Sequence, residues 1–150
     1  MKNNRAKAAY ETMANRKMNC AQAVLTSFYE ELGLDKKVAL SIAQGFGGGM
    51  GHSGGTCGAV TGACMAMGLA QKFTADNPRQ NVDKTYALIN EFNRKFKEIH
   101  ASLNCTELTG FDLGIPEQLA EAREKGVFLT KCPNFVGDSV QIVENLLNLK

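Results

Sequence analysis

Helix-start signals recur along this chain, and several of them coincide with a cysteine. Four of the five cysteines stand where a helix is predicted to begin: Cys20, Cys57, Cys105 and Cys132. We call them the helix-start cysteines. A helix start presents N–H groups without helical partners and the positive end of the helix dipole, both of which lower the pKa of a thiol. The pattern therefore predicts an all-α fold that holds reactive sulfur.

Three of the four starts carry a residue type that commonly caps helices. Asn19, Thr56 and Asn104 each stand directly before a helix-start cysteine. At the fourth start Pro133 follows Cys132, and proline suits the first helical position. We therefore expect Cys132 itself to be the cap.

Apolar residues recur at helical spacing along nearly the whole chain, and no stretch alternates as a strand does. The predicted helices cover residues 5–17, 20–32, 36–45, 57–72, 78–100, a short turn from 105, 116–125, and a last helix from 132. The longest carries an apolar stripe that we expect to face the core, formed by Val82, Tyr86, Ile89, Phe92, Phe96 and Ile99. These patterns predict one compact domain over residues 1–150, a bundle of about six to eight helices.

The segment from Gly45 to Gly55 contains seven glycines and leads into the predicted Cys57 helix. So dense a run is typical of backbone that adopts positive φ or approaches another group closely. We expect it to bring this helix start near a ligand or a second cysteine, with its N–H groups forming a nest for an anion or a cluster sulfur. A flexible surface connection is the alternative. Nucleotide-binding glycine motifs are absent, while anion binding at the helix start remains open.

The predicted Cys57 helix also contains small residues at helical spacing. Gly58 and Gly62 lie four positions apart and so share one face. We expect a neighbouring helix, or a cofactor, to pack closely there and to bring a second cysteine-bearing element within reach. The fifth cysteine, Cys64, is predicted to be a small buried apolar residue, with an additional redox partner as the alternative.

These residues resemble the C-GCAxxG-C-C family of redox-active proteins. The family motif corresponds to Cys57-Gly-Ala-Val-Thr-Gly62, and the glycine segment resembles the loop of the family. The other family cysteines correspond to Cys20, Cys105 and Cys132, whereas Cys64 lies outside the pattern. The resemblance extends from about residue 7 to residue 148. It implies redox activity, with no defined substrate.

Composition narrows the functional classes. The formal net charge is +2, tryptophan is absent and arginines are not clustered, so we expect no nucleic-acid partner. The chain opens with polar residues and contains no apolar stretch long enough to span a bilayer, which predicts a cytoplasmic protein without a membrane partner. Cytoplasmic thiols stay reduced unless a disulfide is transient or catalytic. A chain of 150 residues can form a hydrophobic core without disulfide bonds, so its five cysteines indicate a role other than stabilising the fold.

Thiol–disulfide chemistry is the first hypothesis, with the helix-start cysteines as catalytic residues, because it requires only a thiolate and a nearby resolving cysteine. Cys57 is the predicted nucleophile, and any of the other three could resolve it. The alternative is a metal or iron–sulfur centre with the same four ligands. Their separations match no zinc-ribbon or ferredoxin spacing, so the fold would have to assemble such a site.

A non-enzymatic binding module is the second alternative, with the glycine segment and three methionines as an adaptable surface: Met50, Met65 and Met67. Methionines at this spacing are also typical of a core. The sequence leaves the redox partner undefined and allows a homo-oligomer. All redox hypotheses require that sulfur atoms far apart in sequence meet in one electropositive pocket.

Four further side chains have candidate roles. His52 in the glycine segment is expected to be solvated, with tuning of Cys57 or metal binding as alternatives. His100 stands at the end of the longest helix, where the dipole favours a positive charge. Lys125 and Lys131 flank the last segments and either lower a thiol pKa or remain ordinary surface lysines.

Overall fold

The computed structural model describes residues 4–149, which contain helices joined by turns and no β-strand. The residues Met1–Asn3, where the predicted polar N-terminus begins, and Lys150 lie outside the described range. Eight of the ten α-helical segments have five or more residues, which confirms the predicted all-α bundle. The segments are α1 (Asn4–Ala14), α2 (Cys20–Thr26), α3 (Lys36–Ala43), α4 (Gly47–Met50), α5 (Gly58–Gln71), α6 (Pro78–His100), α7 (Cys105–Thr109), α8 (Pro116–Glu124), α9 (Val127–Thr130) and α10 (Cys132–Leu146).

Predicted caps begin two of the cysteine-bearing helices. The Asn19 side chain accepts from the Gln22 N–H at 2.9 Å, and the Gln22 side chain accepts from the Asn19 N–H at 3.0 Å. This reciprocal pair is a capping box at the start of α2. The Asn104 side chain likewise accepts from the Glu107 N–H at 3.2 Å and caps α7.

The other two predicted caps are wrong. Thr56 forms an antiparallel β-bridge with Asn104, so it stays outside the helix, and Cys57 takes the N-cap position of α5. Cys132 is the first residue of α10 and not its cap. The N-cap position belongs to Lys131, whose backbone is already helical because α9 leads directly into α10.

The stripe on α6 is buried only in part. Phe92 and Phe96 are fully buried, whereas Tyr86 and Ile99 are 61% and 58% exposed. The helix packs chiefly against α5 and α10, which cover the stripe at its phenylalanines and leave its outer members in solvent. The prediction that the whole stripe faces the core is therefore wrong at Tyr86 and Ile99.

Helix α10 lies at the centre of the packing and contacts α1, α2, α5 and α6. Its Val136, Val140 and Val143 are fully buried. Helix α2 packs on both α5 and α10. Three of the four cysteine-bearing helix starts thus belong to helices in mutual contact.

Within residues 4–149, no helix combines the length and the apolar character needed to cross a lipid bilayer.

Candidate functional site

One cavity of about 630 Å³ is lined by all four helix-start cysteines. Each thiol is buried, with 3% to 8% of the residue exposed, and none is in a disulfide. They reach solvent through the cavity they share. The structure thus brings together sulfur atoms that are tens of residues apart in the sequence.

Close packing between α5 and α2 brings Cys57 beside Cys20. A methyl group on Gly62 would lie 2.8 Å from the Ala21 carbonyl oxygen, and one on Gly58 would lie 3.1 Å from the Cys20 Cβ. Both distances are too short for comfortable contact. The predicted close approach at this face is confirmed, and its partner is the helix that begins with Cys20.

Backbone pairing brings Cys57 beside Cys105. The segments that precede these cysteines form the antiparallel bridge. The Cys57 N–H donates to the Leu103 carbonyl at 2.8 Å, and the Cys105 N–H donates to the Gly55 carbonyl at 2.7 Å. The end of the glycine segment is therefore fixed to the start of α7.

The glycine segment makes the close approach that the sequence predicts. Gly49 has φ of +70°, and a methyl group on it would lie 2.8 Å from the Cys105 Cβ. The predicted anion nest is wrong for Gly51, Gly54 and Gly55, because their N–H groups donate to carbonyls of Gly45, Gly48 and Gly49. The segment serves as an ordered wall of the cavity.

Burial controls the acidity of two thiols. Burial raises the pKa of Cys57 to about 12, although the N–H groups of Ala59 and Val60 act to lower it. Burial, together with the negative charge of Cys132, also raises the pKa of Cys105 to about 12. The expectation that a helix start lowers the thiol pKa is wrong for both, because the loss of hydration outweighs the dipole.

Cys20 and Cys132 differ from that pair because each chiefly affects the pKa of the other. The hydrogen bond between them raises the pKa of Cys20, which burial raises further, and the same bond lowers the pKa of Cys132. The backbone N–H of Cys132 and the charge of Lys131 lower the Cys132 pKa further, against the effect of burial. The expectation of a lowered pKa is confirmed for Cys132, with Lys131 as a contributor, and is wrong for Cys20.

The cavity also contains side chains that the sequence analysis missed. Arg16 and Arg123 line it, and neither was singled out by a motif. His52 lines the cavity too, half-buried, with its ring 6.5 Å from that of Phe128, and so is not the fully solvated histidine expected. Neither arginine carried a local signal, because the sequence places Arg16 inside the predicted helix 5–17 and Arg123 inside the predicted helix 116–125.

Cys64 and two of the methionines belong to the core. Cys64 is half-buried, packs against core residues and is not among the residues lining the cavity. Met67 is fully buried and Met65 packs against the core, whereas Met50 is 48% exposed. The adaptable methionine surface is thus reduced to Met50.

Two of the basic side chains singled out from the sequence, His100 and Lys125, lie near carboxylates and do not line the cavity. The His100 Nε2 lies 2.9 Å from the Asp138 Oδ2, so this histidine has a specific partner in addition to the helix dipole. The Lys125 ammonium lies 2.7 Å from the Glu121 carboxylate and does not line the cavity.

The part of the chain that the structure describes contains no preformed group of metal ligands. Among residues 4–149, no three His, Cys, Asp or Glu side chains are grouped closely enough to hold one metal ion. The helix-start cysteines share a cavity but do not form such a group. The metal and iron–sulfur alternative therefore stays a prediction from the sequence.

The fold and the cavity define a class: an all-helical protein in which four separate helix starts present thiols to one pocket. The chain belongs to the family described as "Putative redox-active protein (C_GCAxxG_C_C)", whose model matches residues 18–146. An uncharacterised protein of Archaeoglobus fulgidus is 31% identical over 128 residues, which cover 80% of this chain and 85% of the relative. No solved structure matches the chain. The family resemblance is thus confirmed.

Proposed function

We propose that the protein performs thiol–disulfide exchange in this cavity, with Cys132 as the attacking thiolate and Cys20 as the resolving thiol. The observation that carries the proposal is that these two thiols line one cavity and shift each other's pKa values in opposite directions. The thiolate is the attacking form in exchange. The family description supports redox chemistry in general.

The exchange conserves atoms and electrons. The Cys132 thiolate attacks one sulfur of a disulfide R–S–S–R, forms a mixed disulfide and releases one RS⁻. The Cys20 thiol then loses its proton to that leaving group and attacks the Cys132 sulfur. A Cys20–Cys132 disulfide forms and the second R–S⁻ departs, taking up a proton from water. The protein dithiol loses two electrons and the small disulfide gains them.

The nucleophile in this proposal differs from the one predicted from sequence. Cys57 was expected to attack because its loop is open and its helix is clearly marked. A pKa of about 12 keeps its thiol protonated at neutral pH. Cys132 is the helix-start cysteine whose pKa is lowered, so the attacking role is assigned to it.

The cytoplasm suits this chemistry, because its reducing conditions return the pair to the dithiol. In that compartment the pair would pass electrons between thiols and disulfides and hold no permanent bridge. The partner that regenerates the dithiol would itself be a thiol, which reduces the disulfide by the same exchange reaction.

Alkylation mapping tests the assignment. Reduced protein is treated with iodoacetamide at rising pH and each cysteine is quantified by mass spectrometry. We expect Cys132 to react at the lowest pH. After oxidation by a small disulfide, peptide mapping should find a Cys20–Cys132 bridge. Cys132→Ser should abolish it, and the control Cys64→Ser should retain it because Cys64 lies outside the cavity lining.

Three outcomes would overturn the proposal. The first is earliest alkylation at Cys57, and the second is oxidation that leaves all thiols free. The third is stoichiometric iron, zinc or copper in anaerobically purified protein that is lost on replacing the helix-start cysteines by serine, which would establish the metal alternative. A binding module would retain its partner after the same four replacements, whereas an exchange protein would lose its activity.

A further inference from the structure

The permanently charged side chains that line the thiol cavity have one sign. Arg16 and Arg123 are the arginines that line it, and no Asp or Glu is among the described residues of the lining. Within residues 4–149, neither arginine forms an ion pair with a carboxylate. Both side chains are exposed, so their charges stand at the cavity mouth and are free to meet a ligand.

Arg16 occupies a backbone position that normally belongs to glycine. The Lys17 N–H donates to the Thr12 carbonyl at 3.3 Å and the Arg16 N–H donates to the Met13 carbonyl at 3.0 Å. These two bonds form the Schellman motif that ends α1 and place Arg16 at its left-handed residue, with φ of 56°.

Glycine takes the left-handed position after two other helices, whereas Ala101 takes it after α6 with φ of 68°. Gly110 and Gly126 end α7 and α8 with φ of +82° and +70°. A left-handed conformation is unfavourable for a residue with a Cβ by about 1–2 kcal/mol. An arginine in this position is therefore a strained choice whose guanidinium lines the cavity.

Helix dipoles add to the positive potential. Two of the longer helices, α5 and α10, begin at Gly58 and Cys132, which both line the cavity, so their positive ends lie at it. Cys57 and Cys105 stay protonated and neutral at physiological pH, so they add no negative charge to that of the Cys132 thiolate. A positive cavity mouth raises the local concentration of anions.

We propose that the substrate is a small disulfide or thiol that carries carboxylate groups. Its carboxylates pair with Arg16 and Arg123 at the mouth while its sulfur reaches Cys132. This inference rests on the proposed exchange and names its substrate class. A cavity of about 630 Å³ accommodates a molecule of that size.

Three disulfides of similar length and different charge provide the test: dithiodipropionate as a dianion, bis(2-hydroxyethyl) disulfide as a neutral molecule, and cystamine as a dication. The rate at which each oxidises the reduced protein is divided by its rate with 2-mercaptoethanol, which removes intrinsic reactivity. We expect the normalised rate of the dianion to exceed that of the neutral reagent about tenfold at low salt. Cystamine should have the lowest normalised rate, and added salt should reduce the differences among the three rates.

Arginine variants test the source of this preference. The double variant Arg16→Gln and Arg123→Gln should bring the three normalised rates markedly closer together, because only the helix dipoles then remain. Arg79→Gln is the control, because Arg79 is exposed on α6 and does not line the cavity. Equal rates in the wild-type protein, or an unchanged preference in the double variant, would refute the carboxylate class.

A second readout separates this inference from the exchange itself. Thiodipropionate is a dianionic thioether of similar shape that cannot exchange. It should slow the alkylation of Cys132 by iodoacetamide in the wild-type protein and not in the double arginine variant. Protection without oxidation by any disulfide would uphold the carboxylate site and defeat the exchange. Oxidation without charge preference or protection would uphold the exchange and defeat the carboxylate site.

Discussion

Because one face of α5 packs tightly on α2, alanine substitutions at two glycines of α5 should change the stability of the protein in opposite directions. Replacing Gly by Ala inside a helix gains about 1 kcal/mol of stability where space exists. A methyl group on Gly68 would meet its nearest neighbour, the Thr85 Cγ2, at 3.7 Å, so Gly68→Ala should stabilise the protein by about that amount. On Gly62 it would meet the Ala21 carbonyl oxygen at 2.8 Å and the Val24 Cβ at 3.0 Å.

A backbone atom cannot turn aside as a flexible side chain can, so Gly62→Ala must push α2 away from α5. Overpacking of this kind typically costs about 1–3 kcal/mol. Once the gain in helix propensity is subtracted, we expect Gly62→Ala to lower the free energy of unfolding by about 0–2 kcal/mol. Its free energy of unfolding should therefore lie about 1–3 kcal/mol below that of Gly68→Ala.

Urea denaturation of both variants under reducing conditions measures this difference. Because Ala21 follows Cys20 directly, the displacement of α2 should also slow formation of the Cys20–Cys132 disulfide in Gly62→Ala and leave it unchanged in Gly68→Ala. Equal stabilisation by both substitutions would refute the close packing on which the cavity depends.

Two further predictions concern backbone strain and thiol burial. Arg16→Gly should raise the free energy of unfolding by about 1 kcal/mol in urea denaturation, because glycine relieves the left-handed strain, and lower stability would contradict the Schellman geometry. Folding raises the pKa of Cys57 from 9.0 to about 12. Below pH 9 the thiol is protonated in both states and the contribution of Cys57 to stability is complete. Between pH 9 and 12 the thiol ionises in the unfolded chain alone, so this contribution is lost as the pH rises. Stability should therefore fall with rising pH by about 1.4 kcal/mol per unit more steeply in the wild-type protein than in Cys57→Ala, and equal slopes would refute the burial of this thiol.

Local features of the fold could be predicted from sequence because their causes act over a few residues. The asparagine caps before Cys20 and Cys105 bond to N–H groups three positions later, and the proline start of α6 is fixed by proline itself. Thr56 was assigned wrongly because its backbone pairs with Asn104, far along the chain. A capping preference contains no information about such a distant partner.

The small face of α5 was predicted to accept a close neighbour, but the identity of that neighbour could not be predicted. Gly58 and Gly62 permit contact with any helix of suitable shape. That α2 fills this place depends on the whole arrangement of α2, α5 and α10. The two arginines of the cavity escaped detection for the same reason, since only the tertiary fold places Arg123 near the thiols.

The prediction of a lowered thiol pKa was wrong where two opposing effects act on the same cysteine. A helix start favours a thiolate through nearby N–H groups, while burial removes the water that stabilises the charge. The sequence shows the first effect and hides the second. At Cys57 burial prevails, whereas at Cys132 the hydrogen bond from Cys20 and the charge of Lys131 reverse the outcome.

Clustering itself favours the ionisation of a single thiol in this cavity. The negative charges of Cys132, Cys57 and Cys105 would each raise the pKa of Cys20, and that of Cys132 raises the pKa of Cys105. Once one buried sulfur ionises, its neighbours therefore hold their protons more tightly. The first proton is lost where a thiol donor and a lysine stabilise the anion, which is at Cys132. Four thiols in one pocket thus favour a single nucleophile beside protonated partners, the arrangement that stepwise exchange requires.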